Sequence, residues 1–284
     1  MVHPSPQCAA AAEESLRTFE EIGDASRAAL SQVLLAVEGV TGADAARSEQ
    51  LLERAHEQFL LDDDVWGEAV IGFVRMETAF KNGDADRAVS IGRVTAASFR
   101  TMDDPWGLSA TLYHLGGGLQ QFGRFEEGAR ALEEAIDVAA SADLYNTVQW
   151  AMADLGTAQL HLGNRDLARE LFDRAAAVAE HVGDGAGATL AEYGYGLLAE
   201  MDGDWDEARA RYAAAVSGFS ALSTPVPEHL AIAGLARCDE ADGKQGEACR
   251  RYEQVLECGR GTGEPGLTAA ALEGLARLAA GEAY

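Results

Sequence analysis

The chain has 284 residues, 48% of them hydrophobic, and a net charge of −25 from 47 acidic against 22 basic side chains. Such a surface repels nucleic acid, whose phosphates are held by Lys and Arg, and no apolar run approaches the ~18 residues of a membrane-spanning helix. The acidity has two readings: it keeps the protein dispersed, or it selects a basic partner.

From the N-terminus, residues 1–8 read as a disordered tail, with no basic region followed by an apolar run and so no evident leader. The cysteines Cys8, Cys238, Cys249 and Cys258 form no C-x-x-C pair. An unpaired scatter fits reduced thiols and a cytoplasmic location.

A helix is expected over residues 9–22, and after it a turn signal recurs every 40 residues without insertion or deletion. The signal is Gly23-Asp24, then Asp63-Asp64, Asp103-Asp104, Asp143-Leu144, Gly183-Asp184, Ser223-Thr224 and Gly263-Glu264. Midway between these runs a second series, Gly83, Gly123, Gly163, Gly203 and Gly243. Self-similarity at a fixed period of this size is the mark of a repeat solenoid. The expected fold is therefore all-α, with about six 40-residue repeats and roughly 12–13 helices in one domain over residues 9–284. Within it, 9–43 would hold N-terminal partial repeats, 44–262 the regular ones and 264–284 a C-terminal half repeat.

Residues 104–143 show how a period is built. Asp104 is a good N-cap and Pro105 suits the first helical position. Leu108, Leu112, Leu115 and Leu119 then recur at helical spacing. Gly123 ends that helix, and Phe125–Ala140 forms a second with Leu132, Ala135 and Ile136 on its buried side. Short turns make the two helices antiparallel.

Small residues mark where helices approach closely. Gly116, Gly156, Gly196 and Ala236 recur on first helices, and Ala88, Gly128, Ala168, Ala208 and Ala248 on second ones. Larger side chains follow them at Leu132, Phe172, Tyr212 and Tyr252, a pairing that lets layers interdigitate.

These residues resemble the tetratricopeptide repeats. The match runs Leu115-Gly116, Gly123, Gly128, Leu132, Ala135, then Leu155-Gly156, Gly163, Ala168, Phe172, Ala175, then Tyr195-Gly196, Gly203, Ala208, Tyr212, Ala215. A weaker copy runs Leu235-Ala236, Gly243, Ala248, Tyr252, Val255. The resemblance implies a right-handed superhelical solenoid of antiparallel helix pairs. The period departs from the family's usual 34 residues. The longer form is similar to the helical sensor domains of large LuxR-type (MalT-like) and SARP-type actinobacterial transcription regulators. Asp63-Asp64-Val65-Trp66-Gly67, Asp103-Asp104-Pro105-Trp106-Gly107, Phe19–Asp24 and Ala208–Tyr212 carry that likeness. The DNA-binding and nucleotide-binding domains of such regulators have no counterpart in the sequence.

The phase opens mid-repeat, since Phe19 and Asp24 match Phe59 and Asp64, and closes mid-repeat, since Gly274–Arg277 matches Gly234–Arg237. Solenoids normally finish with polar caps, whereas Leu272, Leu275 and Leu278 are apolar. A piece of a larger regulator, a homo-oligomer formed through the ends, and a self-contained protein with half-repeat caps all fit.

In tetratricopeptide domains the first helices line the concave side. Residues three to four apart share a helix face, which gives the stripes Val70, Phe73, Glu77, Phe80, then Ala110, Tyr113, Gly117, Gln120, then Trp150, Ala153, Thr157, Leu160. Two more follow: Leu190, Tyr193, Leu197, Glu200, and Leu230, Ala233, Arg237, Glu240. The candidate groove residues are Phe73, Glu77, Phe80, Tyr113, His114, Trp150, Asp154, Tyr193, Leu197, Glu200 and Arg237, with His161 near the rim. Their use would be to hold a protein segment, a peptide or a small apolar effector; the competing reading makes Phe73, Tyr113, Trp150 and Tyr193 packing residues. Trp66 and Trp106, at equivalent helix starts, are expected to pack. Lys81, Arg237 and Arg277 lie too far apart in repeat number for a clamp on a C-terminal carboxylate.

Signals for chemistry are weak. Asp202, Asp204 and Asp206 mimic a calcium loop, but Glu207 and Ala213 stand where the glycine and the bidentate acid belong. Asp62-Asp63-Asp64 reads as a helix-capping cluster. His114–Gly118 has no G-x-S-x-G elbow to serve, the six histidines lack metal spacing, and Gly243-Lys244 is not a P-loop. The expectation is a protein that is not an enzyme and needs no metal or cofactor, with an enzyme that uses the groove as a pocket as the minor alternative.

Overall fold

The computed structural model describes residues 6–41 and 45–281. Among them are fourteen helices and no strand: α1 (Pro6–Ile22), α2 (Ala25–Thr41), α3 (Ala45–Leu61), α4 (Val65–Lys81), α5 (Ala85–Thr101), α6 (Pro105–Gln121) and α7 (Phe125–Ser141), followed by α8 (Tyr145–His161), α9 (Arg165–Val182), α10 (Gly185–Asp202), α11 (Trp205–Ala221), α12 (Pro225–Ala241), α13 (Gln245–Thr262) and α14 (Pro265–Ala280). This is an all-α solenoid of helix pairs, with one or two helices beyond the twelve to thirteen expected. The extra count lies at the N-terminus, where α2 and α3 continue the phase although residues 42–44, and with them the expected division at 43/44, fall outside the described residues. Of the expected tail, residues 1–5 also fall outside them, while Pro6, Gln7 and Cys8 belong to α1. Proline is pre-organised for that first helical position.

One turn repeats at each joint among the described residues. The backbone N–H of Asp64, Asp84, Asp104 and Arg124 returns to the carbonyls of Phe59, Ala79, Phe99 and Leu119 at 2.9–3.0 Å. The residue before each adopts a left-handed conformation: Gly83 and Gly123 in the second series, Asp63 at φ 53° and Asp103 at φ 55° in the first. Glycine takes that region freely and aspartate is one of the few other residues that tolerates it. The 40-residue beat is thus two 20-residue half-beats sharing one C-cap. At some joints an aspartate then caps the next helix, Asp64 accepting from Gly67 N at 2.9 Å, Asp104 from Gly107 N at 3.0 Å and Asp204 from Glu207 N at 3.1 Å.

The chain divides into two compact units, Met1–Gly118 and Leu119–Tyr284, taken separately below. In the first, Phe59 is fully buried beside Gly67, where an added Cβ would lie 2.6 Å from the ring. Leu52, Ala55, Ile71 and Val74 complete that core. In the second, α8 touches α10, α10 touches α12 and α12 touches α14, so the even-numbered helices form one continuous row. Ala168, Ala208 and Ala248 are fully buried, and Gly116 (in the first unit), Gly156 and Gly196 are buried too. Gly156 faces the Phe172 ring and Gly196 the Tyr212 ring, with hypothetical Cβ distances of 2.5 and 2.6 Å. A second series, Gly194, Gly234 and Gly274, presses on Phe172, Tyr212 and Tyr252 from the following helix. Phe172 and Tyr212 are each gripped between two glycines.

Candidate functional site

In the first unit, α4 and α6 bring four of the candidate groove residues together. The His114 ring meets Phe73 edge-on at 5.0 Å and Tyr113 at 5.1 Å, and its Nδ1 lies 3.5 Å from the Glu77 carboxylate. All four side chains are half-buried. Phe80 is buried against Gly118, whose missing side chain leaves room for the ring. It serves packing rather than a lining.

In the second unit the centre is Tyr212. Arg237 on α12 donates to Glu200 on α10 through Nε at 2.6 Å and Nη2 at 2.8 Å, and Nη2 also donates to the Tyr212 hydroxyl at 3.3 Å. The Tyr212 hydroxyl in turn donates to Glu200 at 2.5 Å. The Tyr193 ring lies 5.9 Å from that of Tyr212, and Leu197 packs beside both. Burial raises the pKa of Tyr193, with Arg237 opposing and Glu200 and Asp154 adding to the rise. Asp154 therefore shares this electrostatic neighbourhood, and Trp150 stands half-buried one turn before it on α8. Burial lowers the basicity of Arg237, but the Glu200 bond and the Glu200 charge outweigh it and hold the guanidinium ionised.

The last position of the stripes turns inward. Leu160 and Glu240 are buried, and the Glu200 side chain is only 9% exposed. Ala153 and Ala233 are buried as well. The accessible part of the stripes is half-buried rather than exposed: the first positions, Val70, Ala110, Trp150, Leu190 and Leu230, together with Tyr113, Thr157 and Leu197.

A second triad escaped the sequence reading. Arg277 on α14 donates to Glu240 at 3.1 Å and to the Tyr252 hydroxyl at 3.2 Å, and Tyr252 donates to Glu240. These are Glu200, Tyr212 and Arg237 displaced by 40, a recurrence that was available as a signal. Next to it, the buried Asp239 carboxylate accepts from Arg209 at 2.6 Å and from Arg251 at 2.7 Å. Arg237 and Arg277, the two arginines considered for a carboxylate clamp, are therefore committed to internal partners.

Trp66 and Trp106 do not sink into the core: they are 39% and 58% exposed. Asp204 caps α11 and Asp202 pairs with Arg165, so the calcium-like tract is spent on structure. Among the described residues no group of three or more His, Cys, Asp or Glu is placed to hold a metal ion, and no helix is long and apolar enough to cross a membrane.

No protein-family model matches the chain, and no curated protein matches it. Solved structures do. A Rap protein complexed with Competence and Sporulation Factor aligns over 95% of this chain and 87% of its own, at 12% identity and a TM-score of 0.61. The apo form of RapI aligns over 96% and 80%, at 11% identity and 0.60. A signal transduction ATPase with numerous domains from Pyrococcus horikoshii, which carries a tetratricopeptide repeat sensor, aligns over 94% of this chain and 41% of its own, at 13% identity and 0.60. The chain is built of tetratricopeptide-like helical repeats. At these identities the likeness speaks of fold alone.

Proposed function

We propose that this protein is a regulatory binding module that does no chemistry and takes a peptide or an extended protein segment on the even-numbered helices of one or other compact unit. The observation that carries the reading is the pairing of half-buried aromatic rings with polar groups that already have partners: Phe73 and Tyr113 against the His114 ring, whose Nδ1 faces Glu77, and Tyr193 beside the Glu200–Arg237 pair. Such linings offer apolar contact and fixed dipoles, which suits neutral or apolar side chains. The similar fold of a Rap protein complexed with a named factor, and of a repeat annexed to an ATPase as its sensor, supports this use.

The resemblance of the 40-residue period to the sensor repeats of LuxR-type and SARP-type regulators extends the proposal. The module would report on an effector in the cytoplasm to a transcriptional apparatus, without itself touching nucleic acid and without a cofactor. The acidic surface agrees with that last point.

Thermal-shift screening of pooled peptides and small apolar effectors tests the reading. Binding at a hundredfold excess over Kd adds about 2.7 kcal/mol of stability. Tyr113→Ala and Tyr193→Ala should each abolish or weaken the shift while the unliganded protein stays helical. Hits whose affinity neither substitution changes would show that the lining is elsewhere.

A further inference from the structure

Along the turn edge of the first unit runs a ridge of large apolar side chains that the core does not use. Leu61 is 79% exposed, Val65 57%, Trp66 39% and Trp106 58%. The ridge is continuous, because the Trp66 indole N–H donates to Asp104 at 2.9 Å and Asp104 stands two residues before Trp106. The repeat itself supplies a control on whether packing demands these rings. At the same register as Trp66 and Trp106 the later repeats carry Asn146, Ala186, Val226 and Gly266. The fold is thus built at that position with no aromatic ring at all, and the two indoles answer to something other than the core.

The charge on the ridge selects the occupant. Asp62, Asp63, Asp64, Asp103 and Asp104 flank the two indoles. Asp64 and Asp104 are engaged in capping and Asp62 accepts from Ser26, whereas Asp63 and Asp103 stand exposed at the tips of the left-handed turns. A second copy of a chain with a net charge of −25 would meet this edge with like charge. We propose that the ridge is a docking surface, distinct from the even-helix lining, for a partner-protein segment that alternates arginine or lysine with apolar side chains. Guanidinium or ammonium groups would lie over the indole faces and beside the turn aspartates, while the apolar residues cover Leu61 and Val65.

The test uses the full chain labelled with 5-fluorotryptophan and a synthetic peptide alternating arginine and leucine. The four tryptophans give separate fluorine resonances, assigned by Trp→Phe substitution. The expected result is saturable binding that moves the Trp66 and Trp106 signals and leaves Trp150 in place. Trp106→Ala should weaken it about tenfold, the scale of one interfacial anchor. Asp103→Asn should weaken it too, without harm to the turn, because asparagine accepts the left-handed conformation. A glutamate–leucine peptide should not bind, and Tyr113→Ala should bind like the parent, which separates this surface from the proposed groove. The proposal fails if the peptide shifts Trp150 alone, if Trp106→Ala binds unchanged, or if the acidic peptide binds equally. It also fails if light scattering shows a dimer that Trp106→Ala dissociates, since a second copy would then cover the ridge.

Discussion

Arg237 reaches from α12 to α10 and holds the Glu200 carboxylate with two nearly parallel hydrogen bonds, 2.6 and 2.8 Å long. Forty residues on, Arg277 and Glu240 repeat the arrangement around Tyr252. Forty residues back, the same three positions are Leu160, Phe172 and Leu197, which pack as an apolar cluster. One scaffold position therefore accepts either a buried ion pair with a tyrosine or three hydrocarbon side chains.

That equivalence predicts opposite outcomes for breaking and for replacing the pair. Arg237→Ala leaves Glu200 buried and unpaired, and should cost about 3–5 kcal/mol in urea unfolding. The triple variant Glu200→Leu, Tyr212→Phe, Arg237→Leu copies the preceding layer and should return to within about 1 kcal/mol of the native chain, since a buried pair replaced whole by apolar groups is often neutral. If the triple variant is as unstable as the single one, the layers are not interchangeable.

The tyrosines carry a pH signature. Burial, first of all, raises the pKa of Tyr193, Tyr212 and Tyr252, and of Tyr195 together with its bond to Asp173. A phenol whose folded pKa exceeds its unfolded value contributes stability that is fully present below about pH 10 and lost above it, where the unfolded chain ionises and the native one does not. The protein should therefore lose stability as pH rises past 10. Phenolate absorbance should rise in the same step as helicity falls. Four tyrosines ionising early, with the helices intact, would contradict the burial.

The thiols should react in a fixed order. Cys8 is exposed on α1, whereas Cys238 is fully buried and burial pushes its thiol up to about 11. The thiolate is the reactive form. At pH 8, iodoacetamide should modify Cys8 first and spare Cys238 until the chain is unfolded, as peptide mass mapping would show. Early loss of Cys238 would mean that α12 opens locally.

The period made the fold legible: glycines and aspartates at fixed spacing announce turns whose left-handed geometry few other residues accept. Gly156 and Gly196 were readable as close contacts for the same reason, because a glycine inside a helix is costly unless something needs the space. The Tyr252–Glu240–Arg277 triad was not readable from any one helix, where a glutamate or an arginine looks like surface. Only its recurrence 40 residues after Tyr212, Glu200 and Arg237 betrays it. Trp66 and Trp106 misled for a related reason. Equal register fixes where a residue sits in the repeat, but an indole at a helix start faces core or solvent according to how its neighbours fill the layer.

Glycine substitutions give the sharpest test of that layer. The Tyr212 ring is held between Gly196 and Gly234, and an alanine Cβ at either would come within 2.6 Å of it. The ring has no free side to move toward, because its hydroxyl is tied to Glu200 and Arg237. Gly234→Ala should therefore destabilise by about 1–3 kcal/mol despite the better helix propensity of alanine. Gly261, inside α13, has nothing within 4 Å of the same added atom. There Gly→Ala should stabilise by about 0.5–1 kcal/mol, the ordinary helix preference. Both variants are read from urea midpoints at constant m-value. Identical signs at the two positions would mean that the Tyr212 ring is not clamped, and the interdigitation of α10, α11 and α12 would have to be drawn differently.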